Sequence, residues 1–116
     1  MPSLEAIKQS WLKLQSSLKA RLGYAPDLDA VLLFIGIRES GLPPKKLSDD
    51  EIIQLRQIAV ATILVPARYY ELYWVDDFGW PHFKQLEREP TMDDAEREAF
   101  LKPFIILYAE KHRLIT

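Results

Sequence analysis

The sequence predicts a mainly helical α+β fold, with four to five helices around a central apolar helix and one β-hairpin near residues 69–86. Three observations carry this reading. Apolar residues recur at helical spacing between recognisable caps, an eight-residue apolar run occupies residues 30–37, and a dense aromatic stretch surrounds the tripeptide Asp77-Phe78-Gly79. If residues 68–74 continue helically past Pro66, the alternative is an all-α fold.

The first helix is expected over residues 4–22. Leu4, Ile7, Trp11, Leu14 and Leu18 are spaced by three and four, and Leu22 extends the stripe by a turn. Ser3 is placed to cap its start. Glu5 in the first turn and Lys19 and Arg21 in the last turn suit the helix dipole, and Gly23 provides the stop. Two heptads are too few for a coiled coil.

Pro26-Asp27 opens a second helix through Leu28, Val31, Leu32, Leu33, Phe34, Ile35 and Ile37, ending at Ser40-Gly41. A helix apolar nearly all round is buried on most sides, which makes this the central element. The prolines and lysines of residues 41–47 predict a solvated loop, and neither flank is long enough for that loop to be a domain boundary. Ser48 and Glu51 have capping-box spacing and start a third helix, with Ile52, Leu55, Ile58, Ala59 and Thr62 on one face and Pro66 stopping or kinking it.

In the hairpin, a three-residue loop closing on Asp76 and Trp80 sets Val75 opposite Pro81, Trp74 opposite His82 and Tyr73 opposite Phe83. Strict alternation then groups Tyr70, Leu72, Trp74, Asp76, Trp80, His82, Lys84 and Leu86 on one face. Thr91 is the expected N-cap of a last helix, whose interior Pro103 either kinks it or starts a fifth.

Composition narrows the function. The chain has 116 residues and no cysteine, which excludes disulfide frameworks, thiolate zinc sites and cysteine nucleophiles. It is long enough to form a single globular domain over residues 1–116 without metal or disulfide support. Fifteen basic and 17 acidic side chains leave a net charge of -2, without the basic excess that nucleic-acid binding needs. No apolar run approaches the roughly 20 residues that span a bilayer, and the first residues carry no secretory signal, so the expected location is cytoplasmic. There is no glycine-rich phosphate loop, G-x-S-x-G elbow or H-E-x-x-H pair, so no cofactor is expected and the reading leans away from an enzyme.

Seven of the chain's aromatics, Tyr69, Tyr70, Tyr73, Trp74, Phe78, Trp80 and Phe83, fall in one short segment. The acids Glu71, Asp76 and Asp77 interleave them, and no lysine or arginine lies between Arg68 and Lys84. Rings framed by negative charge suit a peptide, a cationic group or an uncharged ring rather than a phosphate backbone. The expected function is therefore a non-enzymatic protein-interaction module acting on a protein partner or by self-association, with Tyr70, Trp74, Asp76, Asp77, Trp80 and His82 as the candidate binding residues. The alternative is a small-molecule or metal site around Asp76, Asp77 and His82, where a carboxylate beside an imidazole could work as an acid/base pair. His112 needs no such role, because a cation is favourable at a helix end.

Residues 28–39, together with Tyr69-Tyr70-Glu71-Leu72 and Gly79-Trp80-Pro81-His82-Phe83, look like segments of small bacterial proteins of unknown function. The resemblance covers about a quarter of the chain. It implies a bacterial, cytoplasmic origin and no activity, substrate or catalytic residue.

Overall fold

Among the described residues, four helices and a two-stranded antiparallel sheet follow one another in the order α1 (Leu4–Leu22), α2 (Leu28–Ser40), α3 (Asp49–Leu64), β1 (Tyr70–Val75), β2 (Pro81–Gln85) and α4 (Asp94–Lys111). The structure is a computed structural model and describes residues 3–43 and 45–115. Met1, Pro2 and Pro44, which enter the readings of the chain start and of the proline-containing loop, lie outside the described residues. The all-α alternative is overturned, because residues 70–75 form a strand.

By packing, the chain divides into two compact units, one of residues 1–28 and 91–116 and the other of residues 29–90. In the first unit, α1 packs on α4. Ser3 caps α1 by accepting from the Ala6 N–H, and Gly23 ends it at φ 83°. The buried residues Trp11, Leu14 and Leu18 are the middle of the stripe read from the sequence, and Leu4 at its start is exposed. Lys102 of α4 lies 4.9 Å over the Trp11 ring, so a charged side chain covers the indole.

The start of α4 corrects one expectation. Its N-cap is Asp93, not Thr91: Asp93 accepts from the Glu96 N–H and Glu96 reaches back to the Asp93 N–H, a complete capping box. A charged cap satisfying two backbone groups outcompetes a lone threonine two residues earlier. Pro103 neither ends α4 nor starts a fifth helix; the helix runs through it to Lys111.

In the second unit, α2 has buried Val31, Leu32, Ile35 and Gly36. Gly36 sits where α2 meets the backbone of α3. A Cβ on it would overlap the Leu55 carbonyl oxygen and lie 2.6 Å from the carbonyl carbon. Only glycine permits this approach. The Ser48–Glu51 capping box starts α3 as expected. The chain leaves α3 through a Schellman turn, in which the Tyr69 N–H bonds the Leu64 carbonyl and the Arg68 N–H bonds the Val65 carbonyl. The left-handed residue of that turn is Arg68, at φ 64°.

Both hairpin strands pack on α3. Trp74 pairs with His82 and Val75 with Pro81, as expected. Beyond them a β-bulge at Tyr73 sets Leu72, not Tyr73, opposite Phe83, followed by Glu71 opposite Lys84 and Tyr70 opposite Gln85. The extra residue reverses the alternation. Tyr70 and Leu72 therefore share the face of Phe83 and Gln85, and Glu71 joins Trp74, His82 and Lys84.

Candidate functional site

The tip of the hairpin is organised by one carboxylate. Asp76 Oδ1 accepts from the N–H groups of Phe78 and Trp80, each at 2.9 Å. The Gly79 N–H donates to the Asp76 carbonyl at 3.0 Å, and the Asp76 N–H to the Trp80 carbonyl at 3.1 Å. Gly79 closes the turn at φ 83°, a backbone state that costs glycine little. Asp76 Oδ2 accepts from His82 Nε2 at 2.9 Å, and the imidazole stacks on Trp74 with ring centroids 4.7 Å apart and planes 13° apart. An ionised carboxylate can only accept, so the bond places the proton on His82 Nε2. The bond from His82 and those from the Trp80 and Phe78 N–H groups outweigh partial desolvation and hold the Asp76 pKa below its ordinary 3.8.

Of the six residues singled out from the sequence, the structure brings Trp74, Asp76, Trp80 and His82 into one network. Asp77 is exposed in the turn. Tyr70 is carried to the other face by the bulge, where its hydroxyl donates to Glu89 at 3.1 Å and accepts from Gln85 at 3.4 Å. Among the described residues no group of three or more His, Asp or Glu side chains is placed to hold a metal ion.

Five large apolar side chains of the hairpin are left uncovered. Leu72, Tyr73, Trp74, Val75 and Phe78 are 54%, 71%, 50%, 52% and 92% exposed. Four of the five, Leu72, Tyr73, Val75 and Phe78, were not among the sequence candidates. Trp80, which was, is half-buried. The signal available for the missed residues was position: Phe78 occupies the turn itself, where no neighbouring strand can cover it. Leu72, Tyr73 and Val75 carry no comparable mark, since alternation alone would bury one face of β1.

Arg38 and Glu39 lie 3.8 Å apart, and His112 caps α4 with its ring tilted against Tyr108 at 4.2 Å between centroids. Among the described residues no helix is long and apolar enough to cross a membrane. No protein-family model, curated protein or solved structure matches the chain.

Proposed function

We propose that this chain is a non-enzymatic protein-interaction module, acting in the bacterial cytoplasm, whose contact surface is the exposed strand β1 and turn of the hairpin. The observation that supports it is the run of large apolar side chains on β1 and the turn, each at least half exposed. Contiguous exposed apolar surface rimmed by polar groups marks interaction sites, and aromatic residues are enriched in the cores of interfaces. The Asp76 network gives this surface its shape. By tying Phe78, Trp80 and His82 to one carboxylate it holds the turn and the Trp74–His82 stack in place, so little ordering cost falls on binding. β1 also has an outer edge with no strand paired to it among the described residues, a place for a partner strand to add.

The small-molecule or metal reading has less support. Both oxygens of Asp76 are engaged, and Asp77 does not converge with His82 into a ligand set.

The test is sedimentation velocity over a concentration series, for the natural chain and for Tyr73→Ser with Phe78→Ser. It is paired with a photo-crosslinking residue at position 78 in growing cells and, as a control, at the exposed position 88. A dimer that dissociates in the variant identifies the partner as a second copy. A monomer that gives one discrete adduct from position 78, absent from position 88 and lost with Tyr73→Ser, identifies a different protein. A monomer without a discrete adduct overturns the reading.

A further inference from the structure

A concavity of about 610 Å³ lies on the α1–α4 unit, far in chemistry from the aromatic hairpin. Its polar lining is Lys13, Ser16, Ser17 and Arg21 of α1 with Arg113, just past the end of α4. Positions 13, 16, 17, 20 and 21 share one helical face, with small residues in the middle and a long cation at either end. Leu12, Ala20 and Leu114 add an apolar wall.

Three features distinguish this site from ordinary solvated charge. No carboxylate lines it, although acids outnumber bases in the chain, 17 to 15. Among the described residues, Lys13, Arg21 and Arg113 form no ion pair. Arg113 also stands at φ 55°, in a second Schellman turn closed by Leu114 N–H to the Ala109 carbonyl and Arg113 N–H to the Glu110 carbonyl. Glycine is the usual occupant of that position and would remove its strain. The helix dipole accounts for Arg21 in the last turn of α1 and for Arg113 beyond α4, but not for Lys13 in the middle of α1.

We propose that this concavity binds a small organic phosphate, with Lys13, Arg21 and Arg113 holding the phosphate oxygens and Leu12, Ala20 and Leu114 receiving the apolar part. Three cations lining one concavity suit a dianion better than a single carboxylate, and guanidinium groups meet phosphate through paired N–H donors. Ser16 and Ser17 add hydroxyl donors. The volume falls in the range of small-molecule sites. No aromatic ring lines the site to stack a base, which argues for a small ligand rather than a nucleic acid.

The test is a ¹⁵N NMR titration of the full chain with inorganic phosphate, phenyl phosphate and a single-stranded oligonucleotide, at matched ionic strength. Saturable shifts confined to the amides of residues 12–21 and 113–114 are expected, with phenyl phosphate binding more tightly than phosphate. Arg113→Gly keeps a residue suited to the left-handed turn, so it should hold or raise the thermal midpoint while weakening phenyl phosphate about tenfold. Lys13→Gln, on an exposed helix face, should weaken binding with the fold intact. Shifts that do not saturate, that spread equally to Lys8 and Lys84, or that survive Arg113→Gly unchanged overturn the proposal. So does tighter binding of the oligonucleotide than of phenyl phosphate.

Discussion

Between positions 30 and 37 of α2 no residue is exposed, whereas five of the six residues of β1 are. Both segments are rich in large apolar side chains, so composition does not separate them. Geometry does. Gly36 brings the backbones of α2 and α3 together, and that approach closes the surface around it. The hairpin leans on α3 while its bulge at Tyr73 turns Leu72 and Trp74 to opposite faces, so one helix cannot cover both. Apolar surface that is closed stabilises the fold. Apolar surface left open, on a turn held by four hydrogen bonds centred on Asp76, is available for contact.

The most severe way to break this contrast is to open the closed side. Gly36→Ala adds one methyl group where a backbone carbonyl already stands, and neither helix axis can yield without disturbing Leu32, Ile35 and Leu55. Alanine is the better helix former by about 1 kcal/mol. The overlap outweighs that gain, and urea unfolding should show a net loss of about 3 kcal/mol. An unchanged unfolding midpoint would show that the α2–α3 crossing is looser than Gly36 makes it.

The junction between the two regions gives the next effect, of opposite sign. Arg68 holds a left-handed conformation at the end of α3, and Arg68→Gly relieves that strain while making the unfolded chain more flexible. The balance is a gain of about 0.5–1 kcal/mol, read as a higher midpoint in thermal unfolding. The open side should respond least in stability. Tyr73→Ser and Phe78→Ser remove rings that bury little within the chain, so each should shift unfolding by no more than about 0.5 kcal/mol while abolishing association. A large loss of stability would make those rings structural and erase the contrast.

The helices were largely legible because their signals are local. Ser3 and Gly23, Ser48 and Glu51, and Pro66 each act within one turn, and each acts where the sequence places it. Even the misplaced start of α4 had its signal on view, since Asp93 and Glu96 have capping-box spacing. The hairpin was legible at its tip and not at its base. Gly79 marks the turn, but the bulge at Tyr73 involves no glycine and depends on how the strands settle against α3. Exposure was illegible for the same reason. Phe78 and Trp80 are two residues apart and chemically alike, yet one is 92% exposed and the other half-buried.

Acid separates the two regions most gently. Asp76 has its pKa held below 3.8 in the folded chain, chiefly by the bond from His82, so its contribution is present above the unfolded value and is lost as pH falls through the lower folded one. At the start of α3, Lys45, 2.6 Å from the Glu51 carboxylate, and the Ser48 N–H lower Glu51 from 4.5 to about 2, so the capping box should likewise persist to about pH 2. An NMR pH titration should therefore show the Phe78 and Trp80 amides shifting with a midpoint below 3.8, and the Ser48 amide shifting with Glu51 near pH 2. Asp76→Asn keeps an acceptor for both amides and removes the charge, so it should abolish the titration at the turn without altering that at Ser48. If the turn amides still titrate in that variant, another acid governs the open surface, and the shape of the hairpin does not depend on Asp76.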